Sequence, residues 1–274
     1  MKDDSAWKNQ LGRLSARAVE ILGPDGATWP ALTSERVESA LCEWGLQVAT
    51  VFTFSRGGLV LKVSKDGEFF VLKAPIEDPS THIAAQEHLA STGIGPSVIT
   101  ADLDRGLLLL EHINRPPQEC PAPSLQSAVQ VIGQAHKDPL TKFPPIVPWL
   151  RSRLLEPPSD FAPETHVPPR VERMSALSVL DELEETSTVD CFIHGDLNIG
   201  NILWCESGLV RLIDARGFIG DPAYDFAYLA VKIHPADIPL TALTEFACTL
   251  GTLAGLNNPG RCGMWVSIIR SCRV

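Results

Sequence analysis

The run Ile193-His194-Gly195-Asp196-Leu197-Asn198-Ile199-Gly200-Asn201, followed thirteen residues later by Asp214 at the end of Leu212-Ile213-Asp214, constrains this chain more than any other feature. An apolar, strand-like start enters a polar loop and leaves through Ile202-Leu203-Trp204. Taken singly, Asp, Asn and Gly are ordinary turn formers. Taken together, they supply a carboxylate that can orient a hydroxyl and accept its proton, with an amide and a second carboxylate as hard oxygen donors for Mg2+. Transfer of a phosphoryl group needs little else from a protein, because positioning and charge neutralisation do most of the catalysis. Asp196 is therefore the candidate catalytic base, and Asn201 and Asp214 the candidate metal ligands.

A second cluster lies upstream. Phe70-Val71-Leu72-Lys73 reads as an apolar strand ending in a lysine that can reach the α- and β-phosphates of ATP. Its expected partner is a helix glutamate, and Glu87 is the candidate. A lysine at a strand end can also serve only to protect an exposed sheet edge. The turn Ser55-Arg56-Gly57-Gly58 could cover the phosphates with backbone amides from Ser55, Gly57 and Gly58, although it is neither G-x-G-x-x-G nor a Walker sequence. Leu107 to Leu110 is an apolar strand leading into Glu111, His112 and Ile113, where a kinase-like fold would hold adenine against backbone atoms. The remaining histidines, His82, His88, His136, His166 and His234, show no metal-like spacing. No G-x-S-x-G elbow supports hydrolase chemistry.

The periodicities give an α+β organisation. Leu11, Leu14, Ala18, Ile21 and Leu22 recur at helical spacing, and a second helix is expected from Ser34, as N-cap, to Trp44. Strands follow at 48–54, 59–63 and 69–73, with a hairpin turn at Lys65-Asp66-Gly67. A helix over 80–92 and strands at 97–101 and 107–111 complete an N-terminal lobe spanning 1–112, of which 1–45 is a helical extension. Proline-rich connections at 115–123, 139–148 and 156–169 flank helices near 124–136 and 170–186. Short strands and turns fill 191–214. Further helices are expected at 225–233 and 240–255, with an early-stopping one at 263–269. Residues 113–274 form the larger, mainly helical second lobe.

Composition narrows the partners. Of 274 residues, 23 are Lys or Arg and 33 are Asp or Glu, for a formal net charge of −10. Such a surface disfavours nucleic acid and anionic membrane and suits a small acceptor that can be cationic. The seven cysteines are dispersed without a C-x-x-C pair, which points to buried free thiols. The polar N-terminus and the lack of a long apolar run point to the cytoplasm.

By its residues the chain resembles the aminoglycoside phosphotransferases, and within them the streptomycin 6-kinase and hydroxyurea phosphotransferase group. The resemblance rests on Cys42-Glu43-Trp44-Gly45-Leu46, Val71-Leu72-Lys73 and Gln134-Ala135-His136, and most specifically on His194-Gly195-Asp196 with Asn201. Ile213-Asp214 and Gly220-Asp221-Pro222-Ala223-Tyr224-Asp225 extend it. It implies a protein-kinase-like fold of two lobes, the smaller with a five-stranded antiparallel sheet and a helix. It also implies ATP and Mg2+ as cofactors, and a small-molecule hydroxyl as acceptor, an aminoglycoside such as streptomycin first and a choline or sugar-amine metabolite second. A nucleotide-binding pseudokinase is the inactive alternative. The resemblance makes His194 a support of the catalytic loop. It makes Asp225 a brace for that loop or a residue facing the substrate, with Asp221 similar. Two positions depart from the group: Asn198 stands where histidine is frequent, and Ala215 where proline or tryptophan is common; Arg216, next to it, puts a cation near the expected acceptor pocket. The C-terminus is also read as short, with the helices that complete that pocket in relatives expected to be clipped after Val274. ATP versus GTP stays open, as does the oligomeric state.

Overall fold

The computed structural model describes residues 5–114, 125–135, 143–156, 167–187, 191–205 and 209–272. The chain divides into two units, Met1–Asn114 and Arg115–Val274. Cys120, His136 and His166 lie outside the described residues, as do most of the proline-rich connections.

In the first unit, α1 (Ser5–Leu22) and α2 (Trp29–Glu43) precede β1 (Gln47–Val51), β2 (Gly58–Lys65) and β3 (Glu68–Pro75). Then come α3 (Pro79–Ser91), β4 (Val98–Asp102) and β5 (Leu107–Glu111). The five strands form one antiparallel sheet in the order β1-β2-β3-β5-β4. Side chains alternate across a strand, so each strand serves two faces. Leu59, Leu61, Val63, Leu72, Ala74, Leu107 and Leu109 face one core with Trp7, Leu11, Leu14 and Ala18 of α1 and Val37 and Ala40 of α2. Leu108 and Leu110 face the other way, onto Ile83 of α3 with Val71 and Val98. Four consecutive leucines in β5 are thus explained by burial on both sides, each worth about 1.5–3 kcal/mol.

Helix α2 begins five residues before the expected Ser34, because Pro30 in its first turn has no N–H to leave unpaired. Asp78, not a residue of the expected run, caps α3 by accepting the Ser80 N–H at 3.0 Å.

The second unit holds α4 (Leu125–Ala135), α5 (Ile146–Leu155) and α6 (Arg170–Glu185), then the short strands β6 (Cys191–Ile193), β7 (Ile202–Trp204), β8 (Val210–Leu212) and β9 (Phe218–Gly220). It closes with α7 (Ala223–Ile233), α8 (Leu240–Leu253) and α9 (Gly260–Cys272). β6 pairs with β9 and β7 with β8, both antiparallel. Every residue of α7 from Ala223 to Ala230 is buried, as expected for a helix enclosed on all sides. It packs on α8 and α9, and α9 also reaches α5 and α6.

Two expectations are corrected here. α5 occupies part of the stretch read as a proline-rich connection; Pro148 sits in its first turn, where no helical donor is lost, and Leu150 and Leu154 are buried. The last helix does not run only over 263–269 but over Gly260–Cys272, held by buried Cys262, Trp265, Val266, Ile269 and Cys272. The cysteines also divide: Cys191, Cys262 and Cys272 are buried, whereas Cys42 is exposed. Burial pushes the Cys262 thiol up strongly and Cys272 to about 12. No helix among the described residues is long and apolar enough to cross a membrane.

Candidate active site

β6 ends at Ile193 and the chain turns through His194 and Gly195. Gly195 has φ of +77°, and a Cβ there would stand 2.7 Å from Cδ2 of Phe218, so both backbone and packing demand glycine. The turn is held from α7. Asp225, fully buried in the first helical turn, accepts the His194 N–H on Oδ2 at 2.7 Å and the Gly195 N–H on Oδ1 at 2.9 Å. Both bonds are charge-assisted, and the carboxylate lies at the positive end of the helix. Both oxygens of Asp225 are thus on backbone amides of the loop.

His194 links two parts of the site. Its Nδ1 accepts the Asp196 N–H at 3.3 Å, so Nε2 carries the proton and donates to the Ile213 carbonyl at 2.9 Å. Burial pushes its pKa below the usual histidine value, and the Asp225 and Asp196 carboxylates only partly oppose this. A neutral ring therefore ties the backbone of Asp196 to the residue that precedes Asp214.

Asn201 fastens the loop. Its Nδ2 donates to the Asp196 carbonyl at 2.9 Å and lies 3.3 Å from Asp196 Oδ2, which leaves Oδ1 as the acceptor atom of the amide. The Ile213 N–H bonds to the Asn201 carbonyl at 3.0 Å, extending the β7–β8 pairing in which Ile202 faces Leu212. Asn201 and Asp214 thus leave the same end of one hairpin. Asp214 has φ of +61°, a left-handed conformation that non-glycine residues seldom adopt and that recurs at functional sites.

These donors fit a small hard cation. The hairpin end offers one carboxylate and one amide oxygen, and among the described residues no group of three or more His, Cys, Asp or Glu could cage an ion. An ion completed by water and phosphate oxygens suits such a set, as Mg2+ requires.

Tyr228 belongs to the site and was not read from the sequence. From α7 its hydroxyl donates to Asp196 Oδ1 at 2.6 Å. Burial first, and then the Asp196 carboxylate, push its pKa far above the ordinary tyrosine value, so it remains a donor. One signal was available: Tyr224 and Tyr228, the chain's two tyrosines, stand one helical turn apart beside Asp225, and their rings stack at 5.9 Å.

Asp221 does not join this cluster. It is 8% exposed and is taken up by protein donors: the Ala223 N–H at 3.0 Å, the Trp265 Nε1–H at 3.0 Å and the Arg261 guanidinium. Arg261 also donates to the Leu183 carbonyl at 2.9 Å and Thr186 Oγ1 at 2.8 Å, so Asp221 anchors α9 against the end of α6.

In the first unit, Lys73 is partly buried on β3, paired with Val60 on one side and Leu108 on the other. A central-strand lysine protects no edge, which removes the simplest structural reason for it. It shares the α3 side of the sheet with Val71. Glu87 is exposed on α3, whose buried residues are Ile83, Ala85, Gln86 and Leu89. The neighbouring Gln86 turns inward and donates to the Pro96 carbonyl at 2.9 Å.

The turn at Ser55, Arg56 and Gly57 is followed by a tight contact at Gly58, where a Cβ would lie 2.3 Å from the Ala74 carbonyl oxygen. Gly58 is thereby explained by strand packing. Gly57 and Arg56 are exposed, and Ser55 is partly so. Glu111 uses its carboxylate on the Ser97 N–H at 3.0 Å, which fixes the end of β5. His112 bonds to Asn114 at 3.1 Å through Nδ1 and lies 6.0 Å from the Phe69 ring; burial and the Lys62 charge lower its pKa. Ile113 follows, partly buried.

Comparison with known proteins agrees with this architecture. The family model described as APH, phosphotransferase enzyme family, matches residues 123–261, just over half of the chain. A choline/ethanolamine kinase family protein from Mesorhizobium loti superposes with a TM-score of 0.64 at 17% identity, covering 88% of this chain and 84% of its own. An aminoglycoside-3'-phosphotransferase of type VIII gives 0.54 at 17% identity over 86% and 98%. The amicoumacin kinase hAmiN, in complex with AMP-PNP, Ca2+ and Ami, gives 0.55 at 15% identity over 86% and 82%. At these identities the likeness establishes a kinase-like fold. No curated protein matches the sequence.

Proposed function

This chain belongs to the APH phosphotransferase enzyme family, and on that premise we propose that it moves the γ-phosphoryl group of ATP onto a hydroxyl of a small molecule. The observation that carries the reading is the state of Asp196: its carboxylate is held on Oδ1 by Tyr228, and its backbone is held by His194 and Asn201. A carboxylate fixed in this way can receive a hydroxyl and take its proton as the oxygen attacks. Asn201 and Asp214 are the proposed Mg2+ ligands, and the ion when bound would neutralise phosphate charge. Lys73 is assigned to the α- and β-phosphates, and the backbone around Ser55, Gly57, Glu111, His112 and Ile113 to the nucleotide. AMP-PNP and Ca2+ in the amicoumacin kinase support a nucleoside triphosphate and a divalent cation.

The fold does not choose the acceptor, since the structural neighbours are named for choline or ethanolamine, an aminoglycoside and amicoumacin. Streptomycin is the acceptor suggested by the sequence resemblance, with resistance as the corresponding role and the cytoplasm as the corresponding place. Choline and sugar amines are the metabolic alternatives. The test is a coupled ADP-release screen with MgATP over aminoglycosides, hydroxyurea, choline, sugar amines and hydroxy acids, with mass spectrometry of each product. A product heavier by one phosphoryl group supports the proposal. ATP binding without transfer to any hydroxyl would favour a pseudokinase instead.

A further inference from the structure

The turn between β1 and β2, assigned above to the nucleotide, is tied down by backbone bonds at its two ends. On one side the Phe52 N–H donates to the Val60 carbonyl at 2.9 Å, and on the other the Ile76 N–H donates to the Gly57 carbonyl at 2.9 Å. Phe54, between them, is 96% exposed, so the bulkiest side chain of the turn anchors nothing.

A further hold comes from the helical extension. Gln10 of α1 donates through Nε2 to the Thr53 carbonyl at 3.3 Å, a contact between residues 43 apart in the chain. A carbonyl only accepts, so the amide nitrogen is the atom that must face it. Gln10 lies beside the stripe of α1 that buries Trp7, Leu11, Leu14 and Ala18 against the sheet, and it is itself only 4% exposed. Its Oε1 has no hydrogen-bond partner among the described residues. A buried amide with its oxygen unpaired costs stability, and an apolar side chain of the same length would avoid that cost. Thr53 lies at the exposed end of the hairpin. The bond from Gln10 is therefore a poor device for folding the chain and a good one for fixing where the turn stands.

We infer that Gln10 is a positioning residue, through which α1 sets the placement of the turn 54–57 and so of the backbone N–H groups it offers to the phosphates of ATP. The inference rests on the phosphotransferase reading, in which Ser55 and Gly57 serve the nucleotide, and it extends that site to the N-terminal helix. Gln10 acts only through the Thr53 carbonyl. A turn released from it has to be ordered when the nucleotide binds, and that lost freedom lowers affinity.

Calorimetric titration of the full chain with AMP-PNP and Mg2+, beside the thermal midpoint measured without nucleotide, tests this. Gln10→Met keeps the length of the side chain and removes the donor. AMP-PNP should bind about two- to tenfold more weakly, as loss of one neutral hydrogen bond implies, with the midpoint unchanged or raised. Gln10→Asn withdraws the amide from Thr53 by one methylene and takes the place of Gln10→Met if that variant does not fold. With an accepted hydroxyl compound, the loss should fall on the KM for ATP and leave the KM for the acceptor unchanged. Unchanged AMP-PNP affinity in a folded variant overturns the inference and leaves the phosphotransferase standing. Weaker affinity accompanied by a lowered midpoint makes Gln10 a structural residue and also overturns it. AMP-PNP binding that is weakened in the variants, with no transfer from MgATP to any hydroxyl, leaves the positioning role standing and removes the phosphotransferase. No AMP-PNP binding by the wild type removes both.

Discussion

The hydroxyl of Tyr228 donates to Oδ1 of Asp196 across 2.6 Å, and the two residues are 32 apart in the chain. Oδ1 of the proposed base thereby carries a short bond, whereas Oδ2 meets only the longer Asn201 amide contact at 3.3 Å and is the oxygen we propose for the hydroxyl acceptor. Tyr228→Phe keeps the ring and its stacking on Tyr224 but removes the donor. The expected outcome is a fall in kcat of roughly 10- to 100-fold with the acceptor KM little changed, since a hydrogen bond to a charged group is worth about 1.5–3 kcal/mol. Steady-state kinetics of the purified variant checks this. A matched rise in KM at constant kcat would instead make Tyr228 a binding residue.

His194 predicts a pH effect on stability. Its folded pKa is depressed from 6.5 by burial, so the unfolded chain binds the proton more readily. The neutral ring contributes its full stability above pH 6.5, and that contribution is lost as pH falls from there toward the folded value. In urea unfolding at pH 8, 6 and 5, His194→Gln should lose less stability on acidification than the wild type. Equal losses in the two proteins would remove the neutral buried ring from the account.

Gly195→Ala meets both a left-handed backbone and the Phe218 ring at 2.7 Å. A loss of about 1–3 kcal/mol is expected, seen as a lower thermal midpoint, with the catalytic loop disturbed and turnover reduced.

Arg261→Met would leave the buried Asp221 carboxylate without its cation, though Trp265 and Ala223 still donate to it. Breaking a buried pair from one side costs about 3–5 kcal/mol, so denaturant unfolding should show a large drop. A change below about 1 kcal/mol would place the pair among weak surface bridges.

The parts of the site that are local in sequence were legible from it. Asp196 and Asn201 share one loop, and Asp214 ends the hairpin that follows, so spacing alone was enough to group them. The five-stranded sheet was legible because strand periodicity and glycine turns are short-range signals. Tyr228 was not, because its partner is reached only when α7 packs beneath the loop. Asp225 and Asp221 were visible as polar positions, but the difference between bracing and facing a ligand is one of burial, which spacing does not encode. Glu87 and Gln86 are adjacent on α3, one exposed and one buried, a difference that helical spacing alone does not fix. α5 was hidden by Pro148, which marks a connection in most contexts and a first helical turn in this one.

The most direct measurement is single-turnover transfer of labelled phosphate from [γ-32P]ATP to an accepted hydroxyl compound, comparing the wild type with Asp196→Asn. Asparagine keeps the size and a hydrogen bond but cannot take a proton. The account predicts a fall of roughly 100- to 10,000-fold in the transfer rate, with ATP affinity kept within a few-fold. Transfer at close to the wild-type rate would contradict it.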